Sequence, residues 1–514
     1  MAESPTARDR LLPPFQGSVL WGWAGPLLVT VFGAFLRLRD LGKPHSVMFD
    51  ETYYAKEALS LLKFGVERKS VEKPDIPLLN GGEVFAHCPA VADCASYVVH
   101  PPLGKWMIAL GELIFGVNPY GWRIVTAVLG VLSILILART ARRMTRNTLL
   151  GSLAGLLLAI DGLHLVLSRS ALLDNFLTFW LIAAFACLVV DRDRTRERLV
   201  AWYESSGLDE HGPKLGWRPW RLAAGLCLGA AMATKWTGLF FVVAFTIMVF
   251  VWDLGARRAV GLRRPLAGAY RLDLPLTAAW TFVLPGVMYV LSFAGWFATE
   301  GGYGRNWSQA TAHGPVFFVI DSFRSWFNYQ YAALNFHTGL SKAHDYQSWP
   351  WSWPLLQRPV LFFNEQAPGC DVSSCNQAVL AVGTPVIWYG GLLALIAMIA
   401  WYTATRDWRA GSVLLGYAVG WLPWFYFALA DNRTMYIFYA LPMLPFLILA
   451  IVLAAGLLIG PADAPPSRRA VGAAIVGVFT LFALANFWWL HPILTAENIP
   501  HAEWYRRMLF GSWV

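Results

Sequence analysis

Long apolar stretches recur along the whole chain, and they limit the folds open to it more than any other feature. A helix rising about 1.5 Å per residue needs roughly 20 mostly apolar residues to cross a bilayer core about 30 Å thick. Eleven segments approach that length, at 19–38, 121–138, 148–167, 175–190, 221–234, 236–252, 276–297, 380–402, 411–429, 436–459 and 470–490. Composition agrees, with 57% hydrophobic and 14% charged residues, where soluble domains carry about 25% charged. The chain reads as an all-α polytopic membrane protein with about eleven transmembrane helices. The first 18 residues are polar, and the run after them has no small-residue cleavage site, so that run reads as a retained anchor.

One apolar stretch is left out of the count. "HPPLGKWMIALGELIFG", His100 to Gly116, is short, opens on Pro101 and Pro102, and carries Lys105 and Glu112. It reads as a helix in the outer interface. With it excluded and the N-terminus inside, the short Arg-rich loops "ARTARRMTRN", "GARRAVGLRRPL", "TATRDWRAG" and "APPSRRA" all fall on the cytoplasmic side, as the positive-inside rule requires. The net charge of +9 is thereby assigned to membrane orientation, and no nucleic-acid partner is expected. The domain plan is a cytoplasmic tail at 1–18, a membrane domain at 19–490 and an extracytoplasmic tail at 491–514. Two long outer loops, 39–120 and 298–379, interrupt the membrane domain, and interfacial helices are expected in both.

Cys88 with Cys94 and Cys370 with Cys375 are close pairs in those loops. They read as disulfides at an oxidising face in preference to a metal site, since neither has CxxC spacing. Cys187 and Cys227 lie in apolar runs.

The ionisable residues near the outer ends of the spans are Arg37, Arg39, Asp50, Glu51, Lys105, Arg123, Asp161, Arg169, Asp174, Lys235 and Arg433. Singly, such a charge snorkels to the interface. Together, cations with two neighbouring acids suit an anionic phosphate and an acid or base beside it, on a substrate that is part lipid. A transporter would place charges at the span centres and show inverted repeats; neither is seen. There is no nucleotide P-loop and no zinc HExxH. The histidines, His87, His100, His164, His313, His337 and His344 among them, are scattered and read mostly as interfacial or structural.

The motifs "FDETYYAKEA", "VVHPPLGKWMIALGELIFG", "GWRIVTAVLG", "SRSALLDNFLTF", "GLCLGAAMATKWTGLF", "YQSWPWSWPLL" and "LPWFYFALADNRTMYIFYALPMLPF" occur in the order seen in protein O-mannosyltransferases. The resemblance runs from about Arg37 to Pro445 and is closest to the bacterial, actinobacterial branch. It implies a GT-C glycosyltransferase in the plasma membrane. Such an enzyme moves mannose from polyprenyl-phosphate mannose to Ser or Thr of secreted proteins handed over by the secretion translocon, with inversion and without an obligatory cofactor or metal. By position, Asp50 matches the catalytic carboxylate and Glu51 its partner. The rival reading of the acids is favourable charge at a helix N-terminus, which stays open for Glu51. Arg123, Lys235 and Arg433 match basic positions assigned to the donor phosphate. Arg37 would steady the acid loop, and His100 and Lys105 would border the donor cleft. Tyr436 and Tyr439 would line the site, and Asp174 would either belong to it or cap a helix. Phe438 stands where eukaryotic members carry His, so no catalytic side chain is expected there. The alternatives are a sister GT-C transferase acting on a lipid or cell-wall glycan, and a sugar-lipid transporter.

Overall fold

A computed structural model describes residues 18–206, 209–308, 314–370 and 374–514, with Leu11, Phe15 and Val372 besides. The expected N-terminal tail and His313 lie almost wholly outside these residues.

The chain opens with α1 (Val19–Leu38), whose first turn is capped by Ser18 accepting from the Trp21 amide at 3.2 Å. A tight loop leads to α2 (Glu51–Phe64), which ends on Gly65 at φ 74°, the left-handed turn that glycine makes without strain. The excluded stretch forms α3 (Leu103–Phe115), 13 residues long and so about 20 Å end to end, too short to cross. It packs against α2 and α4 (Pro119–Thr145). The approach to α4 is close enough that a Cβ on Gly111 would sit 2.3 Å from the Gly121 carbonyl.

Next come α5 (Thr148–Ala159) and α6 (Gly162–Ser168), bent by 65°. The expected span 148–167 is therefore broken. Backbone freed at membrane depth is tolerated only where protein satisfies it, and here Arg37 donates to the Leu158 and Ala159 carbonyls at 3.2 and 3.1 Å. Asp161 caps α6 at the His164 amide, 3.0 Å, and accepts from Trp388 Nε1 at 2.9 Å.

The longer helices that follow are α7 (Leu173–Ser206), α8 (Pro219–Met232), α9 (Gly238–Ala259), α10 (Pro265–Ser292), α11 (Gly314–Gly339), α12 (Pro385–Thr405), α13 (Trp408–Ala430), α14 (Ile437–Ile459) and α15 (Pro466–Leu494). Among the described residues nine helices are long and apolar enough to cross a membrane, or ten if α5 and α6 together form one span. The expected span at 221–234 corresponds to α8, which has 14 residues. α7 and α14 are mostly buried and form the centre, while α1, α10 and α15 are largely exposed, as lipid-facing helices are. At one end of the bundle, Arg218 and Arg221 pair with Asp191 and Asp253 at 2.7–3.0 Å.

The 298–379 loop holds more than helices. Strands β1 (Val360–Gln366) and β2 (Cys375–Ala381) pair antiparallel, with a bulge between Leu361 and Phe363. β3 (Ile499–Pro500), from the C-terminal segment, adds to β2, and α16 (His501–Arg506) follows. The expected span at 380–402 thus begins late, at Pro385, because residues 380 and 381 belong to β2. The C-terminal segment is held down, with Trp513 buried and donating to the Leu356 carbonyl at 2.7 Å. Disulfides join Cys88 to Cys94 and Cys370 to Cys375.

Candidate active site

The tight loop before α2 brings Asp50 to the N-cap position, but its carboxylate makes no capping hydrogen bond. It is half-buried, beside Lys235 and Asp174. Burial raises its pKa most, Lys235 opposes, and Asp174 and Glu57 add to the rise, leaving the group at about 7. Such an acid gives up its proton near neutrality and takes one readily, as a general base must.

Glu51 points the other way and is fully buried. Its carboxylate accepts from Arg123 Nε and Nη2, each at 2.8 Å, from the Met48 amide at 2.9 Å and from the Ala171 amide at 3.0 Å. Arg123, also fully buried, donates as well to the Pro44 and Ser46 carbonyls at 2.9 and 2.8 Å. This corrects two sequence assignments. Glu51 and Arg123 are both fully buried, and four of the five Arg123 N–H groups are bound to protein; the pair fastens the loop that carries Asp50. Arg37 is corrected as well. It holds the broken α5–α6 pair and touches His164 Nδ1 at 2.7 Å, while Arg169 grips the start of the loop through the Leu36, Arg37, Arg39 and Asp40 carbonyls.

Lys235 and Arg433 do face open space. They line a cavity of about 400 Å³ together with His100, Trp236, Tyr289, Gln330, His337, Trp424 and Tyr439. Its walls are mostly aromatic and aliphatic. Lys235 leaves the loop between α8 and α9, is held by both oxygens of Asp174 at 2.8 and 2.9 Å, and lies 4.9 Å from the Tyr439 ring centre. Asp174 is therefore a partner of Lys235, inside the first turn of α7 and not its cap. Arg433 donates to the His337 carbonyl and, at 3.2 Å, to His337 Nδ1. Its Nε has no partner among the described residues.

His337, read from sequence as structural, is thus part of the site. Because Arg433 donates to Nδ1, the ring proton sits on Nε2, which donates to the Val99 carbonyl at 3.2 Å. Burial and then Arg433 push its pKa down to about 4. His100 stacks obliquely 5.3 Å away and is likewise held neutral by burial and Lys235. The signal was faint, a lone His in the aromatic run "YAALNFHTGL". Lys105, expected at the cleft border, is instead fully buried between Glu57, at 3.3 Å, and Glu67, fixing α3 to α2.

On the other side of Asp50, Phe49 stacks on Phe362 of β1 at 5.0 Å and meets Tyr436 and Phe438 edge-on, both at 5.7 Å. Phe438 is buried and stacked on Tyr436, so it shapes the wall and carries no proton. Tyr436 is half-buried with exposed His344 5.3 Å away. Asp50 therefore stands between a greasy chamber holding two cations and an exposed aromatic rim. That arrangement suits an acid poised between an amphiphilic anion and a partner arriving from solvent.

Comparison with known proteins matches nearly the whole chain. The family model for dolichyl-phosphate-mannose-protein mannosyltransferase matches residues 27–297, and the C-terminal four TMM region of protein-O-mannosyltransferase matches 322–513. The chain is 40% identical over 510 residues to a polyprenol-phosphate-mannose–protein mannosyltransferase of Mycolicibacterium smegmatis, covering 96% of this chain and 93% of that one. It is 30% identical over 521 residues to the protein of the same name from Corynebacterium glutamicum, covering 98% and 96%. In fold it is similar to the S. cerevisiae Pmt1–Pmt2 protein O-mannosyltransferase complex bound to the sugar donor, with TM-score 0.73 and 15% identity over 99% of this chain and 94% of that one. A multi-pass membrane chain of GT-C architecture, matched along its length by both models, belongs to the dolichyl-phosphate-mannose–protein mannosyltransferase family.

Proposed function

We propose that the protein transfers mannose from polyprenyl-phosphate mannose to Ser or Thr hydroxyls of secreted proteins, with inversion, at the outer face of the bacterial plasma membrane. The observation that carries the reading is the placing of Asp50 beside the apolar cavity that holds Lys235 and Arg433. The polyprenyl chain lies along the aromatic and aliphatic wall, and the two cations receive the phosphate. Asp50 takes the proton from the acceptor hydroxyl as its oxygen bonds to the anomeric carbon. The bond from that carbon to the phosphate oxygen breaks, and polyprenyl phosphate leaves as an anion. Because a phosphate leaves without a proton, cations replace the general acid of ordinary glycoside chemistry.

The orientation belongs to the same proposal. The Arg-rich turns face the cytoplasm with the N-terminus, while the 39–120 and 298–379 loops, both disulfides and the C-terminal segment face outward. An acceptor leaving the translocon there is still unfolded, which suits an open rim. The test is purified protein with radiolabelled polyprenyl-phosphate mannose and a Ser/Thr peptide. Alkali-releasable label on the peptide, lost in Asp50→Ala, is expected. Label moved to a lipid would identify the sister transferase, and donor binding without any transfer would identify a transporter.

A further inference from the structure

The exposed rim beside Asp50 continues into a second opening. From Phe49 the rings run to His344, 6.3 Å away, and on to Tyr346, a further 5.8 Å. The Arg358 guanidinium sits 5.3 Å over Tyr346, and the Gln347 amide donates to the His344 carbonyl at 2.9 Å. Gln347 and Arg358 are also walls of a groove of about 480 Å³, separate from the donor cavity. Its floor includes Trp349 and Trp351, stacked at 5.4 Å and 13°, and Gln357 and Phe510 close its sides. Trp351 is 46% exposed and Phe510 39%.

Resting on the transferase reading above, we propose that this groove is a binding site for the acceptor polypeptide, held in extended form several residues away from the hydroxyl being glycosylated. Three observations favour a polypeptide. The track from the groove ends at the residue before the candidate base, so a chain lying in it delivers a side chain to Asp50. The lining mixes a flat indole platform with the side-chain amides of Gln347 and Gln357, which pair with backbone N–H and C=O groups; the Ser348 and Ser352 hydroxyls are already engaged by Trp353 Nε1 and the Trp349 carbonyl. Stacked rings beside hydrogen-bonding groups also suit extended and polyproline-type backbone. A lipid tail would leave those amides unpaired, at a cost. One consequence is selection by context: residues flanking the target hydroxyl are read by the groove, while the hydroxyl itself meets only Asp50 and the donor.

The test uses the full-length protein in lipid nanodiscs, polyprenyl-phosphate mannose and synthetic acceptor peptides of 6 and 20 residues around one Thr. The long peptide should show a KM about tenfold below that of the short one. Trp351→Ala and Gln357→Ala should each raise the long-peptide KM toward the short-peptide value, while Trp217→Ala, an exposed tryptophan between α7 and α8, should not. A photo-crosslinking residue at position 357 should capture the long peptide. Equal KM values for the two lengths, unchanged KM in both groove variants, or no crosslink with transfer intact would overturn the groove. A rise in donor KM alone would assign it to lipid and overturn it too. A wild-type protein that transfers to no peptide would fail the transferase reading, and the groove with it, whereas transfer with unchanged KM fails the groove alone.

Discussion

Asp50 and Glu51 are neighbours in sequence and opposites in structure. Helix geometry separates them: the residue before the helix and the first residue within it point in different directions, one toward a cavity and one into the bundle. A pKa near 7 for Asp50 gives a sign to the pH dependence. A base works deprotonated, so turnover at saturating substrates should rise with pH through about 7 and level off above it; a pH–rate profile checks this, and Asp50→Glu should move the rising limb. Replacing Lys235 or Arg433 by Ala should weaken donor binding by about 1.5–3 kcal/mol, the range of a charge-assisted hydrogen bond, measured by titration in nanodiscs. His337→Ala should act through Arg433, raising the donor KM with less effect on kcat, and His337→Asn should restore part of the loss by offering Arg433 an acceptor again. From sequence, Lys235, Arg433 and Arg123 were singled out alike as basic motif positions, and the cavity is lined by the first two. Arg123 lies buried on Glu51 instead, because an arginine's motif position says nothing of which acid its guanidinium packs against.

The elements around the site show why some charges could not be read. Glu51 and Arg123 are distant in sequence, and only the tertiary fold, with α3 packed against both α2 and α4, brings them together as a buried pair. Breaking such a buried pair leaves an unpaired charge inside, so Arg123→Ala should destabilise the protein by about 3–5 kcal/mol. Thermal unfolding in detergent should show this as a lowered Tm, with donor affinity of the surviving folded fraction little changed. The same reasoning applies to Arg37, whose partners are the carbonyls exposed by the break between α5 and α6. Apolar periodicity marked 148–167 as a span but carried no sign of the 65° bend. The short sheet was missed for a related reason. β1 and β2 follow the aromatic-dense part of a loop that reads as interfacial helices, and β3 joins them from more than 100 residues away, a pairing that no local pattern announces.

Across the whole molecule the apolar runs and the placement of arginine were enough to give a helical membrane bundle with two long loops on one side, because a bilayer leaves few alternatives. The orientation predicts that a membrane-impermeant thiol reagent added to intact cells labels Glu72→Cys in the first long loop, and labels Arg263→Cys only after the membrane is opened; the reverse pattern would invert the topology. Arg218, Arg221 and Arg257, which this orientation would put at the cytoplasmic end, are also tied to buried aspartates, so they serve the fold whichever way the chain is inserted. The central claim is that binding and chemistry are divided, with Lys235 and Arg433 holding the donor and Asp50 moving the proton. Single-turnover transfer by Asp50→Asn, measured alongside donor affinity, tests it most directly. The account predicts donor binding as tight as in the wild type and transfer slower by about 10²–10⁴-fold, the usual contribution of a general base; transfer at the wild-type rate in a folded, donor-loaded Asp50→Asn protein would contradict it.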